Sequence, residues 1–183
     1  MVLGEAKSKL FLYRPKDTEF ADPDKARSFF VRISRRLISD ISAAHGIDLP
    51  AKKIEMLANI FAKYTSGLGI IEDVLSDENI QDIYINSPVS QNPLHVVVND
   101  DECVTNVYMS EDDLESMISR FRSISGRPFS EAVPVLDLAL EEYKTRVSVI
   151  GNPLAKDGLA YSFRRHSLRP WTLPRFIEKG MMS

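Results

Sequence analysis

The chain has 183 residues, of which 44% are hydrophobic and 27% charged, with a formal net charge of −3. Those proportions exclude a disordered chain and describe a soluble globular one, long enough for one ordinary domain or a compact domain with a helical appendage. No apolar run approaches the roughly 20 residues needed to cross a bilayer, the opening "MVLGEAKSKLFLYRPKDTEF" lacks the apolar core of a secretory signal, and the single Cys103 cannot close an internal disulfide, so the expected compartment is the reducing cytoplasm.

Residues before about Asp22 show no usable period and are expected to be loosely structured. The segment "DPDKARSFFVRISRRLISDISAAHG" predicts a helix, with Asp22 as cap, Pro23 in the first turn and Gly46 at the end. Its stripe is Phe30, Ile33, Leu37, Ile41 and Ala44. A second helix is expected after Pro50, with Ile54, Leu57, Phe61 and Tyr64 on one face. The pair forms a helical hairpin that ends near "SGLG".

Beyond Gly69 the pattern changes. "IIEDVLSD" predicts a short helix, and "IQDIYINSP" a strand stopped by Ser87-Pro88. "LHVVVND" predicts a strand closed by an Asn99-Asp100 turn, with "CVTNVYM" as its antiparallel partner and Cys103 as a packed thiol. Ser110 and Asp113 open a helix with a capping box, Leu114, Met117, Ile118 and Phe121 supply its buried stripe, and Gly126 ends it. "PVLDLALE" predicts a strand, followed by a hairpin of Thr145 to Ile150 and Leu159 to Arg165. "SLRPWTLPRFIEKGMMS" reads as a linker, anchored by Trp171, that enters a last short helix. The order β-β-β-α-β-β-β predicts an α+β fold: an N-terminal helical hairpin, then a mixed or antiparallel sheet with helices on one side. The expected divisions are 1–65 for the helical region, 66–170 for the sheet domain and 171–183 for the linker.

Several chemistries find no residues to carry them. His45, His95 and His166 fall in different elements without metal-ligand spacing, and no metal site is expected. None of the eight glycines precedes a lysine, so the chain holds no phosphate loop of the Gly-x4-Gly-Lys-Ser/Thr type. Acidic pairs such as Asp112-Asp113 and Glu141-Glu142 suit helix starts and solvated faces. Tyr84, Tyr108, Tyr143 and Tyr161 alternate with aliphatic residues as core residues do, and no RNA-recognition motif accompanies them.

Charge is unevenly spread. Lys144 to Lys179 contains eight Lys or Arg against Asp157 and Glu178, a balance of +6 that leaves −9 on the remainder. Within that basic stretch, Arg146, Arg164 and Arg165 lie on the two strands of the hairpin. Such guanidinium groups suit phosphate oxygens, although hydrated or salt-bridged arginines on an open sheet have the same sequence pattern. Neighbours along a strand point to opposite faces, so Arg164 and Arg165 are not expected to meet one phosphate together. Arg165 shares its side with Tyr161 and Phe163, whereas Arg164 shares its side with the small Ala160 and Ser162. Arg164 therefore ranks first, Arg146 is its partner across the hairpin, and Arg165 is secondary.

The order of the motifs resembles a known family. "GLGIIEDVLSDENIQDIYIN", "HVVVND" and "GRPFSEAVPVLDLALEEYKTRVSVIGNPLAKDGLAYSFRR" are similar to the regulatory N-terminal domain of type II/type IV secretion ATPases, and "TLPRFIEKGMMS" to the segment joining that domain to its motor. The likeness covers about residues 67 to 183 and looks closest to the archaeal branch, which powers type IV pilus, archaellum or secretion assemblies.

The resemblance implies a PAS-like sheet domain beside a RecA-like P-loop domain in a homo-hexamer. It places the protein in the cytoplasm, peripheral at the inner face of the membrane, acting with a membrane platform protein. In the family, arginines matching Arg146 and Arg164-Arg165 reach the phosphates of ATP. ATP and Mg2+ are accordingly expected in the full-length protein, and no tightly bound cofactor in this chain. The chain ends before a phosphate loop begins, so the expectation is a truncated piece that is not itself an enzyme, with no direct nucleic-acid partner. The alternatives are a stand-alone nucleic-acid-binding module, through the basic hairpin, and a membrane-complex adaptor docking through the helices.

Overall fold

The computed structural model describes residues 23–166, 172–178 and 180–181. It separates into two compact units, Met1–Val74 and Leu75–Ser183. In the first, helix α1 (Pro23–Ala44) and helix α2 (Ala51–Ser66) form the expected hairpin, joined through Gly46 at φ +65°. Leu37, Ile41 and Phe61 form its core, with Ile33 packed against them. Two positions depart from the expected stripes: Ala44 and Tyr64 are exposed, while Ile38 and Ala58 are fully buried. Small Ala58 and Ala62 on the inner face of α2 let the helices approach. Buried Ser34 satisfies its hydroxyl by donating to the Phe30 carbonyl at 2.6 Å. The proposed cap Asp22 and the anchor Trp171 lie outside the described residues.

Helix α3 (Ile70–Ser76) begins in this first unit. Buried Glu72 accepts from the Leu68 amide at 2.8 Å and from Arg27 of α1 at 3.1 Å. Lys63 of α2 donates to Asp73. These contacts hold residues 67–74 to the hairpin, and the division between units accordingly falls later than the glycine-flanked stretch at 66–69. Gly67 is required by proximity, because a Cβ there would stand 2.7 Å from the Lys63 carbonyl oxygen.

The second unit is a six-stranded sheet in the order β3-β2-β1-β6-β5-β4. Its strands are β1 (Ile80–Ile85), β2 (His95–Val98), β3 (Asp101–Val104), β4 (Val135–Leu140), β5 (Thr145–Ile150) and β6 (Ala160–Arg165). All pairings are antiparallel, so the fold is α+β with an N-terminal helical part. Asn99 and Asp100, at φ 52° and 72°, make the two-residue turn joining β2 to β3. Two three-stranded meanders thus meet in the middle, where β1 lies beside β6.

One face of the sheet is covered by helix α4 (Glu111–Ser125), whose buried Leu114, Met117, Ile118 and Phe121 are the expected stripe. The Phe121 ring meets Phe163 edge-on at 6.3 Å, and Tyr161 stacks on Phe163 at 6.2 Å. Both strands of the hairpin alternate buried with open positions, as half-covered strands should. Cys103 departs from expectation: it is exposed, because β3 is an edge strand whose four residues all face solvent. Helix α5 (Leu173–Glu178) is short and follows the sheet. Among the described residues no helix is long and apolar enough to cross a membrane.

Candidate anion-facing site on the open sheet face

The sheet face turned away from α4 mixes charged and polar side chains with apolar ones such as Val97 and Ala139. Residues directly opposite one another in antiparallel strands share a face. The register therefore places Glu102, Val97, Asp82, Arg164, Arg146 and Ala139 in one row across all six strands. The next row holds Val104, His95, Tyr84, Ser162, Ser148 and Asp137. A bulge in β1 sets this arrangement. Ile80 pairs with Val98 but Asp82 with Val97, so Gln81 is the extra residue. Its side chain accepts from the Asp100 amide at 3.1 Å, while Asp82 is left on the open face.

Arg146 and Arg164 stand directly opposite each other. Like charges so placed repel, and each has a carboxylate beside it. The Arg164 Nε donates to Asp82 Oδ1 at 2.9 Å and its Nη2 to Oδ2 at 3.5 Å, a two-pronged contact. Asp82 is held well into the sheet, its side chain 15% exposed against 73% for Arg164. Hydrogen bonding to Asp82, reinforced by its charge and by Tyr84, raises the Arg164 pKa above the ordinary arginine range. Arg146 is held more loosely: its Nη2 lies 3.9 Å from Asp137 Oδ2, and Asp137 Oδ1 already accepts from the Ser148 hydroxyl.

Arg165 is elsewhere. It follows Tyr161 and Phe163 onto the covered face, where its Nε donates to the Ile80 carbonyl at 3.0 Å and its Nη2 to Asp77 at 3.1 Å and to Leu75. The structure thus brings Arg146 and Arg164 together and separates Arg165 from both. Sequence reasoning did not assign Asp82, Tyr84, Asp137 or Ser148 to this site. The available signal was a carboxylate inside each of two apolar strand patterns, "IQDIYI" and "VLDLAL". Among the described residues no three His, Cys, Asp or Glu side chains are grouped so as to hold a metal ion.

No family model matches the chain. It is 24% identical over 149 residues to the uncharacterized protein MJ0781 of Methanocaldococcus jannaschii, across 81% of this chain and 20% of that protein. Its fold is similar to that of the VirB11 ATPase from the Brucella suis type IV secretion system, solved in complex with sulphate. That likeness has a TM-score of 0.51 and 18% identity, and covers 61% of this chain and 34% of the other. The chain therefore spans about a fifth of the curated relative's length and a third of the solved one's.

Proposed function

We propose that this chain is the regulatory N-terminal portion of a hexameric secretion-type ATPase, and that Arg146 and Arg164 face the phosphates of ATP. The carrying observation is the pair of exposed guanidinium groups directly opposite each other on the sheet face turned away from α4. The order of motifs along residues 67 to 183 and the fold shared with the VirB11 ATPase support the same reading. A guanidinium fork fits phosphoryl oxygens and stabilises their charge without itself transferring a proton. ATP with Mg2+ supplies the phosphoryl chemistry when bound. In this reading the phosphate loop and the metal ligands belong to a RecA-like domain of the same polypeptide, and the described residues contribute phosphate contacts alone. The ring works on the cytoplasmic side of a membrane platform protein, in a pilus, archaellum or secretion machine.

The test is turnover in the full-length protein. Arg164→Ala lowers it at least tenfold, a barrier increase of about 1.4 kcal/mol, with the oligomer unchanged by gel filtration. Arg146→Ala acts in the same direction. Wild-type turnover in an assembled Arg146→Ala/Arg164→Ala protein would overturn the reading.

A further inference from the structure

We propose that Asp82 is a built-in competitor for the anion: it occupies the Nε–Nη2 edge of the Arg164 guanidinium until a phosphate group takes its place. This rests on the reading of Arg146 and Arg164 as phosphate contacts, and adds how that contact is regulated.

The two arginines are held asymmetrically. Asp82 engages Arg164 through two nitrogens, at 2.9 and 3.5 Å, in the geometry that a phosphate would also use. A carboxylate and a phosphate cannot both occupy that edge of the guanidinium. Asp82 is also the better-fixed partner, sunk in a central strand just after the Gln81 bulge and mostly covered. Arg146 has its carboxylate at 3.9 Å, and that carboxylate is shared with Ser148. An arriving anion therefore meets Arg146 first and must displace Asp82 to take the Nε–Nη2 edge of Arg164.

Charge points the same way. Arg146 and Arg164 with Asp82 and Asp137 sum to zero, and Glu102 at the end of the row adds a negative charge, so the resting face attracts a polyanion weakly. Transfer of Arg164 to phosphate leaves Asp82 without its ion-pair partner and close to the new anion, which limits affinity and favours release. A carboxylate here sets how tightly the face holds phosphate, while the arginines set whether it does.

The probe is inorganic tripolyphosphate, titrated at low salt into the chain and followed by the arginine Nε–H resonances of Arg146 and Arg164. In the wild-type chain the Arg164 resonance moves with occupancy, and Asp82→Asn tightens binding about threefold to tenfold by removing one nearby negative charge. The gain vanishes in Asp82→Asn/Arg164→Ala. If Arg146→Ala/Arg164→Ala weakens binding but Asp82→Asn leaves it unchanged, the competitor is refuted while the anion site stands. If the double arginine variant binds as wild type does, or neither arginine resonance responds, the phosphate-contact reading falls and the competitor with it. The wild-type resonance of Arg164 needs no variant to fold: its indifference to saturating tripolyphosphate while Arg146 responds also refutes displacement of Asp82.

Discussion

Arg164 and Arg165, consecutive in β6, donate to different parts of the sheet unit from opposite faces. Arg164 meets the Asp82 side chain on the open face, and Arg165 gathers the backbone carbonyls of Leu75, Asp77 and Ile80 on the other. Leu75 lies in the last turn of α3, where carbonyls lack intrahelical partners and a cation is favourable. Arg165 therefore fastens the α3–β1 connection to the end of β6. A side chain committed to three main-chain acceptors is a structural one.

The two arginines accordingly have separable effects on stability. Arg165→Ala leaves those carbonyls to water and is expected to cost about 1–2 kcal/mol, since hydrogen bonds to a charged donor are among the stronger ones. Arg164→Ala removes a largely exposed guanidinium but leaves the mostly covered Asp82 carboxylate without its partner, and is expected to cost less than Arg165→Ala, about 0.5–1 kcal/mol. Urea unfolding of the two variants decides it. Equal midpoints, or a larger loss in Arg164→Ala, would contradict the assignment.

The sheet was largely legible because alternation is a local signal. Strand β5 reads TRVSVI and buries Thr145, Val147 and Val149, so the faces of Arg146 and its neighbours follow from parity alone. The capping box at Ser110 and Asp113 was equally legible, being a fixed spacing within one helix. Asp82 as the partner of Arg164 was not. The two are brought together by insertion of the last strand between β1 and β5, and strand order does not follow from the alternation within any strand. The bulge at Gln81 adds a register shift that an uninterrupted period-two reading misses. Exposure of Cys103 was hidden for the same reason, since an edge strand and a central one can share a sequence pattern.

Tyr161 provides a pH-dependent test of the core. Its hydroxyl donates to the Leu114 carbonyl at 2.7 Å beneath α4. Burial, then the negative charge of Glu115, pushes its pKa above the ordinary tyrosine range. Because the neutral form is the one that fits, its contribution is complete below the unfolded value of about 10 and is lost as the pH rises beyond it. The slope approaches about 1.4 kcal/mol per pH unit while the unfolded chain is ionised and the folded one is not. Tyr161→Phe should cost about 1 kcal/mol at neutral pH and remove that part of the alkaline decline. Denaturation midpoints of both proteins between about pH 8 and 11 test the difference; parallel curves would contradict it.

The covered face of the sheet depends on the start of α4, where Ser110 and Asp113 form a capping box. The Ser110 hydroxyl accepts from the Asp113 amide at 3.2 Å, and Asp113 Oδ2 accepts from the Ser110 amide at 3.2 Å. Together they satisfy donors that the first turn leaves without helical partners. Ser110→Ala is expected to cost about 1 kcal/mol, the usual loss for a hydroxyl cap. Asp113→Ala should cost a similar amount, because it removes both the return bond and a negative charge in a first turn. The two bonds position one another, and the Ser110 hydroxyl also touches Asp113 Oδ2 at 2.7 Å. The double variant should therefore lose less than the sum of the singles by about 0.5 kcal/mol or more, as residues sharing one network do. Strict additivity in a chemical-denaturation cycle would show that the two ends of the box act independently.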